Sequence, residues 1–365
     1  MKWKEQILGL SSYQPGKSID EVKREFGLEK IVKLASNENP YGSPKACYEY
    51  VKNVHDSFAI YPDGYAYELR MAVAEHVSVK PSQLIFGDGS DEIIAIITRA
   101  LLKPGLNTVC ATPTFSQYRH NSVIEGAEVR EVPLTEKGEH DLAKMLEAID
   151  ENTSVIWICN PNNPTGVYLN DESIRSFLKQ VPSDCLVVMD EAYYEYVTEK
   201  DYPITLELLA EYKNVMILRT FSKIYGLASF RVGYGIANEE IIEKLEPLRA
   251  PFNVNVLGQK LASLAIQDQE FVQNCKLANQ KGLEKMYRFC EENGLSYFPS
   301  QGNFILVDMK QNGNDIFQRL LEQGYIVRSG VPLGFPTCIR ITIGTEEQMD
   351  GLLEVLQKVL HNNYV

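Results

Sequence analysis

No C-x-x-C pair occurs among the seven cysteines, Cys47, Cys110, Cys159, Cys185, Cys275, Cys290 and Cys338, and their number is odd. That spacing argues against a disulfide framework and a zinc site, and points to a reduced, cytoplasmic compartment. Cys110, Cys159 and Cys185 sit in apolar runs, where a free thiol behaves as a small hydrophobe. No apolar run approaches transmembrane length, and the opening MKWKEQILGLSSYQPG lacks the core of a signal peptide, so a cytoplasmic protein is expected. Positive charge is scarce: 36 Lys and Arg stand against 49 Asp and Glu, a net charge of −13. This balance argues against nucleic acid or an anionic membrane as the main partner. An anionic small molecule would have to be met by a few local Lys or Arg side chains. The five histidines, His55, His76, His120, His140 and His361, show no ligand or triad spacing. They read as structural or surface residues, and no metal is expected. Repeats and low-complexity tracts are absent as well.

What is present is enough chain, 365 residues, for two domains of ordinary size. From about residue 84, short β-rich runs alternate with helical stretches: QLIFGDG then DEIIAIITRALL, TVCATP, SVIWICNP then DESIRSFLKQV, CLVVMDEAYY, and NVMILRTFS. Near-continuous apolar runs between helices read as buried parallel strands, so an α/β domain with a mostly parallel central sheet flanked by helices is expected over residues 40–250. Beyond about residue 240 come long charged helical stretches, the longest running from QKLASLAIQDQ to CEENG. Short strands follow, NFILVDM, YIVRSG and CIRITIG. They suggest a smaller α+β domain over residues 251–365, joined by residues 1–39 as an N-terminal arm.

In open α/β sheets ligands bind beyond the carboxyl ends of the strands, so the residues ending each run carry the functional signal. QLIF ends in Gly87-Asp88-Gly89-Ser90-Asp91-Glu92 and leads into a helix, with Ser90 as a plausible N-cap. Such a turn suits a phosphate, or is simply a capped turn. SVIWIC ends in Asn160-Pro161-Asn162-Asn163-Pro164-Thr165-Gly166, a proline-stiffened loop or an ordinary turn. CLVVM ends in Asp190, a carboxylate that is costly to bury without a cationic partner. NVMIL ends in Arg219-Thr220-Phe221-Ser222-Lys223, with Arg231 following. Each signal is modest. Together they describe one pocket with a phosphate cradle (Ser90, Thr220, Ser222, Arg231), a carboxylate for a cationic ring nitrogen (Asp190), donors for a phenolate oxygen (Asn163, Tyr193) and an amine (Lys223). Pyridoxal phosphate needs all four.

At these residues the sequence resembles the fold-type I pyridoxal-phosphate enzymes, specifically the class I/II aminotransferases. The motifs are N-P-N-N-P-T-G, D-E-A-Y and S-K-x-x-G-L-A-x-x-R-x-G-Y, in matching order over roughly residues 30 to 345. Within them it is most similar to the histidinol-phosphate aminotransferase branch. Leu34-Ala35-Ser36-Asn37-Glu38-Asn39-Pro40-Tyr41-Gly42, Tyr61-Pro62-Asp63-Gly64 and Ile339-Arg340-Ile341-Thr342-Ile343-Gly344-Thr345 carry that likeness.

The resemblance implies the following roles. Lys223 would hold pyridoxal 5′-phosphate through an imine and then act as general base. Asp190 would pair with the ring nitrogen, and Tyr193 and Asn163 would bond the ring oxygen. Phe115 would stack on the ring, where the family often has Tyr. Ser90, Asp91 (through its backbone N–H), Thr220, Ser222 and Arg231 would bind the phosphate. Tyr61 would reach the phosphate of the neighbouring subunit in a homodimer. Tyr13, Asn37 and Tyr61 would contact substrate, while Arg340, assisted by Arg328, would grip its anionic end. The implied reaction is ping-pong transamination of L-histidinol phosphate with 2-oxoglutarate, giving imidazole acetol phosphate and L-glutamate in histidine biosynthesis. Aromatic amino-acid transamination is the rival within the fold, and the segments around Tyr13, Tyr118 and residues 328–340 would decide between them. A phospho-amino-acid decarboxylase and a non-enzymatic regulator are more distant alternatives. Without the resemblance, Arg340 in the alternating run Cys338-Ile339-Arg340-Ile341-Thr342 reads as a residue on a solvated strand face.

Overall fold

A computed structural model describes residues 1–11, 16–54 and 58–360. Seven strands form the main sheet: β1 (Leu84–Asp88), β2 (Asn107–Thr112), β3 (Glu128–Pro133), β4 (Thr153–Cys159), β5 (Leu186–Asp190), β6 (Val215–Thr220) and β7 (Val232–Ala237). Their order is β1-β7-β6-β5-β4-β2-β3. All run parallel except β7, which pairs antiparallel with both β1 and β6. The fold is therefore α/β with a mostly parallel central sheet and helices against it. Side chains alternate between two apolar layers: Ile156 and Ile158 of β4 point into one, Val155 and Trp157 into the other. Burial on both faces explains why these strands read as unbroken apolar runs.

A second sheet, β8 (Ser296–Tyr297), β9 (Phe304–Asp308), β10 (Arg328–Ser329) and β11 (Cys338–Thr342), is antiparallel in the order β10-β11-β9-β8. The pair Val32–Lys33 lies parallel to Tyr325–Ile326, and Thr342 N–H donates to the Leu34 carbonyl at 2.9 Å. The early residues thus run beside the late ones.

Three expectations need correction. The charged stretch beginning at QKLAS is two helices, Val256–Ala265 and Gln269–Glu292, because Asp268 accepts from the Phe271 N–H and caps a new start. The helix after β1 begins at Gly89 with Asp88 as its cap residue, so Ser90 lies inside the first turn and is not the N-cap. Arg340 is not on a solvated face, for every residue of β11 is buried and Arg340 is only 8% exposed.

Candidate active site

The carboxyl ends of β1, β5 and β6 meet at a cavity of about 420 Å³. Its lining includes Ser90, Asp91, Phe115, Asn163, Asp190, Tyr193, Thr220, Ser222, Lys223, Arg231, Asn37, Arg328 and Arg340. Of the residues singled out from sequence, Tyr61 is elsewhere: it is 78% exposed and stacks on Phe252 at 4.6 Å between ring centroids. Tyr13 lies outside the described residues.

Asp190 ends β5 in the interior. Its Oδ2 accepts from the Tyr118 hydroxyl at 2.6 Å and its Oδ1 from the Ala192 N–H at 3.2 Å. Burial pushes its carboxyl up to about 6, with the Tyr118 bond pulling the other way. Tyr118 faces inward, stacked on Trp157 at 4.9 Å and edge-on to Phe115 at 5.6 Å, so only its neighbours Phe115 and Gln117 line the cavity. Lys223 follows β6, and its Nζ donates to the Ser36 carbonyl at 3.4 Å. Burial first, then the positive charge of Arg340, lowers its ammonium to about 8. A buried amine that sheds its proton near neutrality is fitted for nucleophilic and base chemistry. Asn39 Nδ2 fixes the turn beyond it by donating to the Ile224 carbonyl at 2.6 Å.

At the opposite end stands an anion cradle. The helix Gly89–Leu101 starts here, and the N–H groups of Ser90 and Asp91 have no carbonyl a turn earlier to bond. Arg231 closes the cradle from the left-handed region (φ 54), its Nη1 donating to Ser222 Oγ at 3.2 Å and its Nη2 lying 3.3 Å from Asp91 Oδ2. Gly89 has φ 74, and a Cβ there would collide with the Arg231 guanidinium. Thr220 Oγ1 accepts from the Ser222 N–H at 3.0 Å and shapes the same turn.

Between these ends, Tyr193 Oη accepts from Asn37 Nδ2 at 3.0 Å, and Asn163 Oδ1 accepts from Arg340 Nη1 at 2.6 Å. With its oxygen taken, Asn163 presents Nδ2 as its donor. Asn37, itself at φ 56, is aimed by Thr342, whose hydroxyl donates to Asn37 Oδ1 at 3.0 Å and accepts from its N–H at 2.9 Å. Sequence reasoning missed Thr342, which alternates with apolar residues in a buried strand. It named Tyr118 only as part of a pocket-lining segment.

The donor set fits a planar ring carrying a cationic nitrogen, an oxygen and a phosphate. Behind it, Glu191 is wholly buried against Arg219, with Nη2 2.9 Å from Oε2, and Tyr202 donates to Oε1 at 3.2 Å. Removing one member of a buried pair leaves an uncompensated charge. Arg219→Met should therefore lower stability by about 3–5 kcal/mol in chemical denaturation. A loss within experimental error would contradict this account of the pair.

Residues 29–356 match the aminotransferase class I and II family. The chain belongs to that family. Among known class I and II aminotransferases, it is 60% identical over 360 residues to the histidinol-phosphate aminotransferase of Geobacillus sp. (strain WCH70), covering 99% of this chain and 98% of the relative. It is 56% identical to that of Bacillus subtilis (strain 168), covering 99% and 100%. The solved histidinol-phosphate aminotransferase of Sinorhizobium meliloti, in complex with pyridoxal-5′-phosphate, superposes with a TM-score of 0.90 at 26% identity. That match covers 100% of this chain and 98% of that one.

Proposed function

We propose that this aminotransferase exchanges the amino group between L-histidinol phosphate and 2-oxoglutarate by a ping-pong route, releasing imidazole acetol phosphate and L-glutamate, in histidine biosynthesis. Pyridoxal 5′-phosphate is the cofactor. When bound, it supplies the electron sink that makes the substrate Cα proton removable. The chain does the rest. Lys223 anchors the cofactor, and its Nζ, lowered to about 8, takes the Cα proton. Asp190 holds positive charge at the ring nitrogen. Tyr193 and Asn163 hold the ring oxygen, and Phe115 covers one ring face. Ser90, Asp91, Thr220, Ser222 and Arg231 take the cofactor phosphate.

The observation that carries the substrate assignment is the pairing of Arg328 with Arg340. They are direct partners in the antiparallel register of β10 and β11, and both line the cavity. Two guanidiniums lining one cavity suit a bidentate anion, and a phosphate dianion meets two positive charges better than a single carboxylate does. The names of the relatives point the same way. Arg340→Gln should lower kcat/KM for histidinol phosphate by on the order of 10²-fold, the scale of a lost charge-assisted contact in a dry site. Steady-state kinetics with histidinol phosphate and with phenylalanine test the reading. A wild-type enzyme that prefers phenylalanine would favour an aromatic aminotransferase and overturn it.

We place the enzyme in the cytoplasm as a homodimer, with Asn37 beside the substrate and Tyr61 entering the partner's site. Among the described residues no helix is long and apolar enough to cross a membrane. Tyr48, Val51, Phe58, Ile60, Tyr61 and Tyr67 are exposed within one short stretch of chain. Apolar exposure on that scale suits a face covered by another subunit.

A further inference from the structure

The segment that carries Tyr61 is joined to this subunit's own phosphate turn by an unbroken chain of polar contacts. Arg249 Nη2 donates to the Gly64 carbonyl at 2.6 Å, and its Nη1 donates to Asn253 Oδ1 at 3.1 Å. Asn253 Nδ2 donates to Glu92 Oε2 at 2.7 Å and to the Phe86 carbonyl at 3.1 Å. Glu92 Oε2 also accepts from the Asp88 N–H at 2.6 Å. Asp88 is the residue on which β1 ends and from which the cradle helix starts.

Arg249 donates at both of its links and Glu92 accepts at both of its own, so Asn253 stands between a cation and a carboxylate. The Asn253 amide presents oxygen to a cation and nitrogen to a carboxylate, so its orientation is fixed from both sides. Glu92 lies in the first turn of the helix, where a carboxylate is favoured, yet it is turned back onto the Asp88 N–H. It thereby holds the turn while the N–H groups of Ser90 and Asp91 stay available to a ligand. The chain is also mechanically short. Phe252, adjacent to Asn253, holds φ 57 and stacks flat on Tyr61, with 13° between the ring planes. A second arginine braces the same segment: Arg70 donates to the Tyr65 carbonyl at 3.2 Å and pairs with Glu246 at 3.1 Å. Glu246 in turn meets Arg249 Nε at 2.9 Å.

We propose that Glu92 and Asn253 are positioning residues for the cofactor phosphate, and that through Arg249 and Phe252 they tie the shape of one subunit's phosphate turn to the placement of the Tyr61 it lends to its partner. This rests on the reading of the cavity as a pyridoxal-phosphate site and of Tyr61 as a partner-reaching residue. Disturbing the relay would loosen both the turn in its own site and the arm in the other. The effect would fall on the phosphate, because neither Glu92 nor Asn253 lines the cavity.

The test uses the full-length chain stripped of cofactor and then titrated with pyridoxal phosphate or with pyridoxal, which lacks the phosphate. Asn253→Asp keeps the shape but sets a carboxylate against Glu92. Glu92→Gln keeps an acceptor but weakens it, and serves as the second variant should the first fail to fold. Both should weaken pyridoxal phosphate by about tenfold, the scale of one charge-assisted hydrogen bond, and shift pyridoxal by no more than about twofold. Combined with Tyr61→Phe, Asn253→Asp should cost less than the product of the two single effects, as coupled residues do. Unchanged phosphate affinity, equal weakening of both ligands, or full additivity with Tyr61→Phe would overturn the relay. A wild-type chain that binds pyridoxal as tightly as its phosphate would overturn the cofactor reading beneath it.

Discussion

Lys223→Ala should abolish transamination, with kcat/KM falling by on the order of 10⁴-fold or more, the scale on which removal of a covalent nucleophile or its base is felt. On the proposed reading two tasks would be lost together: attachment of the cofactor, and proton transfer at Nζ. The first can be read without turnover. After borohydride reduction, the peptide containing residue 223 should carry the cofactor mass in the wild-type protein and lack it in the variant. Retention of a covalent adduct on another lysine would refute the assignment. The lowered ammonium adds a pH signature. Only the free amine attacks a carbonyl, so attachment to the cofactor-free protein should accelerate as pH rises through about 8 and then level off. The stability sign follows. The unfolded lysine keeps its proton up to about 10.5, whereas the folded one sheds it near 8. The unfolded state therefore binds more protons between these values, and the cofactor-free protein should gain stability across that window as pH rises. Lys223→Ala should remove this gain.

Much of this site was legible because doubly buried parallel strands write themselves as apolar runs, and the residue at which each run stops is a candidate ligand contact. Asp190 and Lys223 stand out in that way, and the Gly87–Glu92 turn announces a helix start. The rest was hidden for physical reasons. β7 contains Gly233 and Gly235, which depress strand propensity. Gly233 is needed because a Cβ there would strike the Ser90 backbone. The strand that presses against the cradle is thus the one that reads least like a strand. Tyr118 looks like any helix aromatic, and only the three-dimensional crossing with β5 sets its hydroxyl on Asp190. Arg340 alternates with apolar residues as a surface charge would, yet the cavity that buries it lies where β11 approaches the Asn163 loop, a contact 177 residues apart in the chain. Asn37 precedes Pro40 in a recognisable signature, but its hold on Tyr193 depends on Thr342, 305 residues away.

Asp190→Ala should be nearly as damaging as loss of the lysine, lowering kcat by on the order of 10³-fold, because a preorganised charge at the point where electron density is drawn is among the largest single contributions to a rate. Tyr118→Phe should be far milder, and the contrast separates the carboxylate from its support. Burial is the largest cause driving the Asp190 carboxyl upward, with the Asp91 and Glu191 charges adding to it, and the Tyr118 hydroxyl opposes that drift. Without the hydroxyl the carboxyl should hold its proton to higher pH, so the acid limb of the rate profile should move to higher pH while the plateau falls little. The folding linkage runs opposite to that of Lys223. In the cofactor-free protein Asp190 stays protonated to about 6, whereas the unfolded residue ionises near 3.8. The folded state binds more protons in between, so stability should fall as pH rises across that window. A cationic ring nitrogen reverses the preference, because it favours the ionised carboxylate. Cofactor affinity should therefore weaken as pH drops below about 6, where Asp190 must first give up a proton to pair. The cofactor's own phosphate titrates alike in both proteins, so the comparison with Asp190→Asn isolates the carboxylate. An identical pH dependence in that variant would show that Asp190 does not bear the nitrogen's charge.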